Sequence, residues 1–332
     1  MSATLDLITI GDVSLDSFIS PSESETFCSI DEKECMVCFK YGDKIPVTSL
    51  DFSVGGNAAN NAVGARRLGL HVAMVSTFGD DIVGRQIREA LSAENLILSY
   101  VHEGENMRSN YSTVINYAEE RTIFSFHAPK PYVFPKNLPE SKWIYLTSLG
   151  DGWEEVFEQT LMWLTKHPNV KLAFNPGSRQ LRAALVELKP ILKRADLLYV
   201  NREEAEHLSM KSDSVEHEKE LLRAVHETGP SIVVVTDGPA GAYVYNGQSY
   251  LYAPIFPQKP ISRTGAGDAF GSGCLSALIN GKTLEEALLW GTLNSASVIG
   301  KVGAQKGLLH LDEMAVWLEK AKEEKIEVHE LT

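Results

Sequence analysis

Short apolar runs rich in β-branched and aromatic residues alternate with longer stretches in which apolar positions recur every three to four residues, and the rhythm holds from residue 5 nearly to the C-terminal end. Residues 5–11, 72–77, 143–146, 172–175, 197–201 and 231–236 read as strands. Residues 58–68, 82–93, 153–166, 179–192, 216–227, 266–279 and 284–299 read as helices with an apolar side. Strands that are apolar throughout and separated by helices predict a mostly parallel sheet with helices on both faces, joined by right-handed crossovers. Two regions break the rhythm. Residues 110–117 and 121–127 alternate apolar and polar positions around Ala118-Glu119-Glu120, the pattern of a hairpin, while residues 21–50 are polar, irregular and cysteine-containing. The mixed charges of residues 320–325 suit a solvated helix end.

With 332 residues, 44% of them hydrophobic, the chain can bury a full core, and the unbroken alternation favours one domain over residues 1–332. Its formal net charge of −13 argues against a nucleic-acid partner, because such a surface releases no phosphate counterions. An anionic ligand would need local positive potential and a divalent cation. No apolar run approaches the ~20 residues of a membrane span, and the first residues lack a secretory-signal pattern, so a cytoplasmic protein without a membrane partner is expected. Cys28, Cys35, Cys38 and Cys274 are too few for a disulfide framework. Cys35 and Cys38 form a CxxC with only Cys28 nearby, short of a complete zinc site, which leaves zinc as the outside alternative for these three.

Candidate chemistry concentrates in two glycine-rich segments. Gly265, Ala266 and Gly267 leave the first amide N–H groups of the 266–279 helix uncovered, and those donors, with the positive end of the helix dipole, attract phosphate. Asp268 stands beside that hole, placed to take a hydroxyl proton; a Gly-rich turn with one Asp is equally a common helix cap. Far upstream, Gly55 and Gly56 would let a ligand approach the backbone, and the uncharged amides of Asn57, Asn60 and Asn61 suit the vicinal hydroxyls of a polyol. The same Asn residues would also cap the 58–68 helix, with Gly69 closing it. In an open parallel sheet ligands gather beyond the carboxyl ends of the strands, where Asp16, Asn201 and Thr236 fall. Asn201 and Glu204 also have the spacing of a capping box.

These segments resemble the two signatures of the ribokinase-like (PfkB-type) carbohydrate kinases, in residues 55–69 and 262–273. Two more stretches fit: residues 11–16 resemble the family's first strand and substrate-gripping acid, and residues 201–206 its N-x-x-E motif. The resemblance covers most of the chain and implies a three-layer α/β ribokinase-like fold with a small β-sheet lid, drawn here from about residues 20–54 and 108–130. It implies ATP-dependent phosphorylation of a sugar hydroxyl, as in ribose or fructose, with Asp268 as general base and an anion hole at Gly265, Ala266 and Gly267. Asp16, Gly56, Asn57 and Asn60 would hold the sugar, with Asp12 a rival that looks more like a buried strand-end residue. Asn201 would reach the phosphates and Glu204 would organise Mg²⁺ through water. Thr236, Asp237, Gly238 and Gly241 would form the nucleotide loop, and Asn294 would lie near the adenine or ribose. Relatives often dimerise through the lid, so a homodimer is a further expectation.

Ser262 and Arg263 depart from the family pattern, which usually has an acid and a small residue there. That acid helps hold a monovalent cation, so K⁺ dependence is left open, and Arg263 could supply fixed positive charge instead. Residues 175–179, Asn-Pro-Gly-Ser-Arg, suit a phosphate contact or a plain surface turn. The acceptor is left open as well. Tyr111, Tyr117, Phe124 and Phe126 would favour a nucleoside, with strand alternation sending half of them outward, while Arg108, Arg121 and Lys130 would favour a phosphosugar. A nucleotide-binding regulatory module is the non-enzymatic alternative, and the intact Gly-Ala-Gly-Asp run argues against it.

Overall fold

The structure, a computed structural model, describes residues 4–22, 25–28, 35–117, 120–210 and 218–331; of residues 25–28, 35 and 120 it describes the backbone alone. Its main sheet has nine strands. Six run parallel in the order Val72–Val75, Leu5–Ile10, Ser141–Leu146, Lys171–Phe174, Leu197–Asn201 and Val233–Thr236. Ala242–Tyr245, Tyr250–Ala253 and His329–Glu330 extend it as an antiparallel edge. Successive residues of each central strand feed opposite faces: Leu7, Tyr145, Ala173 and Tyr199 enter one core, and Ile8, Ile144, Phe174 and Val200 the other. The helices Asn57–Arg67, Ile82–Ala93, Ala266–Ile279, Leu284–Ile299 and Leu311–Glu323 close the first core. Trp153–Lys166, Leu185–Arg194, Arg202–Ser209 and Glu218–His226 close the second. The result is the three-layer architecture that the alternating pattern predicts.

A separate four-stranded sheet, entered shortly after the carboxyl end of Leu5–Ile10, has the order Glu120–Phe126, Asn110–Tyr117, Ser14–Pro21 and Val47–Gly55. The hairpin expected around residue 119 is present as the first two of these, paired antiparallel. Ser14–Pro21 is the difference: the sequence places Asp16 just past the first strand and outside the lid, whereas the structure makes this stretch an inner strand of the small sheet, parallel to Asn110–Tyr117 and antiparallel to Val47–Gly55. Its apolar positions do not alternate cleanly because Leu15 and Phe18, three apart, are both buried, one on each face. Within residues 21–50, expected to be irregular, Glu25–Cys28 and Cys35–Cys38 also pair as strands.

Two further boundaries differ. The single helix expected at 179–192 is two, Ser178–Arg182 and Leu185–Arg194. The Leu181 carbonyl, which a continuous helix would bond to the amide of residue 185, accepts from His207 Nε2 at 2.6 Å. The strand expected at 72–77 leaves the main sheet after Val75, and Thr77–Gly79 pairs with His102–Gly104.

Candidate active site

The helix Ala266–Ile279 is almost entirely buried from Ala269 onward, and its N-terminus lines the same cleft as Arg121 of the small sheet. Gly265 makes the turn into it at φ 81°, a conformation that favours glycine, and a Cβ there would also lie 2.5 Å from the Ala304 Cβ. The first helical hydrogen bond runs from the Ala269 amide to Gly265 O (2.8 Å). The Ala266 amide reaches Arg263 O at 3.4 Å, so within the helix the donors that precede the ladder are those of Gly267 and Asp268. The Gly265 and Gly267 amides of the expected hole both precede the first helical bond. A Cβ on Gly267 would meet nothing within 4 Å, which leaves its backbone open to the cleft.

Asp268 is half-buried beside these amides. Its Oδ2 accepts from Asn60 Nδ2 at 2.8 Å, and Asn60 Oδ1 accepts from Gln305 Nε2 at 3.0 Å. Burial pushes the Asp268 carboxyl up to about 6, outweighing the Asn60 hydrogen bond that pulls it down. Asn60 is thus bonded at both ends of its amide, and it lies outside the residues that line the smaller cleft.

Around Asp268 a cleft of about 210 Å³ is lined by Asn57, Arg121, Tyr145, Asn175, Asn201 and Glu204, with the 265–268 turn as its floor. Asn175 Oδ1 accepts from Asn57 Nδ2 (3.3 Å) and from the Tyr145 hydroxyl (3.3 Å). Asn201 and Glu204 form the capping box that their spacing allows: Asn201 Oδ1 accepts from the Glu204 amide (2.8 Å), and Glu204 Oε2 from the Asn201 amide (2.9 Å). Capping and cleft lining coexist, because the box fixes the Glu204 side chain at the cleft wall. Burial is the main cause that raises the Glu204 carboxyl, and the Asp268 charge adds to it.

A second, larger cleft of about 380 Å³ adjoins the first and is mostly apolar. Thr236, Gly238 and Gly241 lie on one side, Pro254, Ile255 and Phe256 on another, and Thr292, Ser295 and Ile299 on the third. Thr236, Arg263, Ala266, Gly267 and Phe270 line both clefts, so the helix N-terminus and Arg263 mark the seam between them. Asn294, expected near this cleft, is fully buried instead: its Nδ2 donates to Ala269 O (2.8 Å) and Ser272 Oγ (3.1 Å), and its Oδ1 accepts from the Leu309 amide (2.9 Å). Helical spacing explains the error, since Thr292, Ser295 and Ile299 share the cleft-facing side that excludes position 294.

Asp16 lies on the lid strand and outside the residues that line the smaller cleft. Ser14 Oγ donates to Asp16 Oδ1 at 2.8 Å, and a Cβ on Gly55 would lie 2.0 Å from Asp16 Oδ2, so Gly55 makes room for the carboxylate next to Gly56 and Asn57. Burial raises the Asp16 carboxyl above its usual range. Asp12 is a buried strand-end residue, bonded to the Tyr132 hydroxyl (2.8 Å) and to Lys130 Nζ (3.0 Å). That pairing removes Lys130 from the candidate phosphate ligands, its side chain being only 1% exposed. Arg179 pairs with Asp151 on the surface, and Arg108 lies over the Phe126 ring. Register decides the lid aromatics. Tyr111 faces Phe126 across the hairpin and Thr113 faces Phe124, so Tyr111, Tyr117, Phe124 and Phe126 all share one face, opposite that of Asp16, Ser112 and Arg121. The side chains of Cys28 and Cys35 lie outside the described residues, and among those described no three or more His, Cys, Asp and Glu side chains are grouped to hold a metal directly.

Gln305, Tyr145 and Tyr199 carry no motif and are found at the site only through the fold. No described helix is long and apolar enough to cross a membrane. The sequence matches the pfkB family carbohydrate kinase description over residues 24–311. The chain is 25% identical over 295 residues to a ribokinase of Haemophilus influenzae, covering 85% of this chain and 92% of that one. Its fold is similar to that of an Arabidopsis thaliana ribokinase complexed with ribose and ATP, with a TM-score of 0.78, 19% identity, and 95% and 99% of the two chains covered. A nucleoside kinase of Burkholderia thailandensis in complex with inosine aligns with a TM-score of 0.74, 19% identity, and 95% and 98% covered. The chain belongs to the pfkB family of carbohydrate kinases. It is accordingly an ATP-dependent phosphotransferase with a sugar or nucleoside hydroxyl as acceptor.

Proposed function

We propose that the chain transfers the γ-phosphoryl group of ATP to a hydroxyl of a small sugar, with Asp268 as the general base. The observation that carries this is the half-buried Asp268 carboxylate, held by Asn60 beside open helix amides and facing a polar cleft that continues into an apolar one. The acceptor oxygen attacks the γ-phosphorus, its proton passes to an Asp268 oxygen, the bond to the β–γ bridging oxygen breaks, and ADP leaves. The amides of Gly267 and Asp268 stabilise the transferring group, where one preorganised donor is worth about 3–4 kcal/mol. The apolar cleft suits the adenosine moiety, with Thr236, Gly238 and Gly241 along its edge. Arg263 at the seam supplies the positive charge that an anionic triphosphate requires in a chain of net charge −13.

The Glu204 side chain, fixed at the wall of the cleft by its capping box, fits a divalent cation held through water. Glu204 would hold Mg²⁺ through water, with Asn201 beside the phosphates; the ion would neutralise phosphate charge. Asp16, Gly56 and Asn57 hold the sugar, and the lid face that carries Asp16, Ser112 and Arg121, together with the apolar Phe18, Val114 and Ile123, closes over it. That face favours a sugar over a nucleoside, because the four lid aromatics share the opposite one. A coupled assay of ADP release tests this over ribose, fructose, 2-keto-3-deoxygluconate, fructose-6-phosphate, adenosine and inosine. Turnover with at least one sugar is expected, and turnover with nucleosides alone overturns the assignment. Titrating K⁺ in the same assay tests whether Arg263 serves in place of a monovalent cation: a many-fold rise in rate counts against it.

A further inference from the structure

Gln305 sits on the loop that follows the helix Leu284–Ile299, far in sequence from Asn60 and Asp268, and is only 8% exposed. Its Nε2 donates to Asn60 Oδ1 (3.0 Å), and Asn60 Nδ2 donates to Asp268 Oδ2 (2.8 Å). A buried amide that accepts at one end and donates at the other has a fixed direction. Turned over, Asn60 would set its oxygen against the Asp268 carboxylate and its NH₂ against the Gln305 NH₂. The backbone that carries Gln305 is itself pinned: Arg67 Nη1 donates to Gln305 O (2.8 Å) and Leu308 O (3.1 Å), while its guanidinium pairs with Glu94. Three elements distant in sequence, the helices Asn57–Arg67 and Ala266–Ile279 and the 300–309 loop, thus converge on one carboxylate oxygen.

The geometry points to Gln305 as a positioning residue for phosphoryl transfer: through Asn60 it fixes the orientation in which the Asp268 carboxylate takes the acceptor's proton. This rests on Asp268 being the base. The groups that face Asp268 are Glu204 from the helix Arg202–Ser209, Tyr145 from the central sheet, Arg263 from the turn before its own helix, Arg121 from the lid, and Asn60. Of these, Asn60 is the hydrogen-bond donor that pulls the carboxyl down against burial. Inverting the polarity of the relay therefore raises it further and weakens catalysis without touching either substrate's contacts.

Gln305→Glu keeps the size and replaces the donor by an acceptor. The expected result at neutral pH is a kcat about ten- to thirty-fold lower, with KM for ATP and for the sugar within about two-fold. The acid limb of the pH–rate profile should move up by about one unit, which accounts for about two-fold of the loss at neutral pH; the rest is lost carboxylate orientation and persists above it. Combined with Asp268→Asn, the variant should lose nothing more. Gln305→Met removes the donor without adding charge and carries the test if Gln305→Glu does not fold; its limb moves the same way by less. An unmoved acid limb in the folded variants, an equal proportional loss at every pH, or an undiminished loss in the Asp268→Asn background overturns the role. The base assignment fails separately: near-normal turnover of Asp268→Asn removes Asp268, whereas a dead Asp268→Asn with unshifted Gln305 variants removes Gln305 alone.

Discussion

Asp268 and Asp16 are two carboxylates raised by burial, yet the regions that hold them are built in opposite ways. Asp268 stands at the start of a helix whose body is buried between neighbouring helices and the sheet, and Asn60, Gln305 and Arg67 tie it to a second helix and to the 300–309 loop. Asp16 stands on a lid strand whose neighbours leave Leu50 59%, Phe52 53% and Phe124 61% exposed, and its bonded partners, Ser14 and Ser112, both belong to the same small sheet. A base must be fixed to a fraction of an ångström to act in the transition state. A sugar grip has to open and close, and a thin sheet with one wet face does that at little cost. The chemistry therefore sits on the core and the selection on the lid.

The largest effect that would break this comparison belongs to Asp268→Asn. Turnover should fall by about 10²–10⁴-fold with nucleotide affinity nearly unchanged, measured by ADP release and by nucleotide titration. In the native protein the base works only when ionised, and its carboxyl is raised to about 6, so the rate should fall as pH drops through about 6. A limb near pH 4 would show that burial does not raise the base. Gly265→Ala comes next: a left-handed φ of 81° and a methyl 2.5 Å from Ala304 displace the helix start, lowering kcat by about 10²-fold and Tm by several degrees. On the lid side, Gly55→Ala drives a methyl toward Asp16 Oδ2. It should raise the sugar KM by about ten-fold or more while leaving ATP binding and kcat at saturating sugar largely intact. The smallest effect is expected of Phe124→Ser on the outer lid face, less than about two-fold on either parameter. An equal loss of kcat from Gly55→Ala would erase the division between the two regions.

Much of the fold was legible, and the reason differs by element. The central strands are apolar on both faces and bounded by loops, so residues 172–175 and 197–201 read correctly at any register. Ser14–Pro21 was not legible, because its faces meet two different environments and its sequence, Ser-Leu-Asp-Ser-Phe-Ile-Ser-Pro, obeys neither period. The site shows the same split. Asp268 and the glycines around it announce a helix start with open amides. Asn294 looks like a polar contact on a helix, and only the packing of that helix against Ala269, Ser272 and Leu309 reveals an amide satisfied internally. Sequence alternation assigns half the lid aromatics to each face; pairing Tyr111 with Phe126 puts all four on one.

The sequence by itself determined the layers, the helix start at Gly265, the carboxylate beside it and the polar character of the Gly56–Asn57 turn, because each depends on residues within a few positions of one another. Only the tertiary structure decided which amide orients Asp268, that Asp12 and Lys130 satisfy each other, and which lid face meets the cleft. Those are contacts between segments tens to hundreds of residues apart, and their directions are set by packing, register and the filling of each polar group's bonds, none of which is encoded in any one stretch of chain.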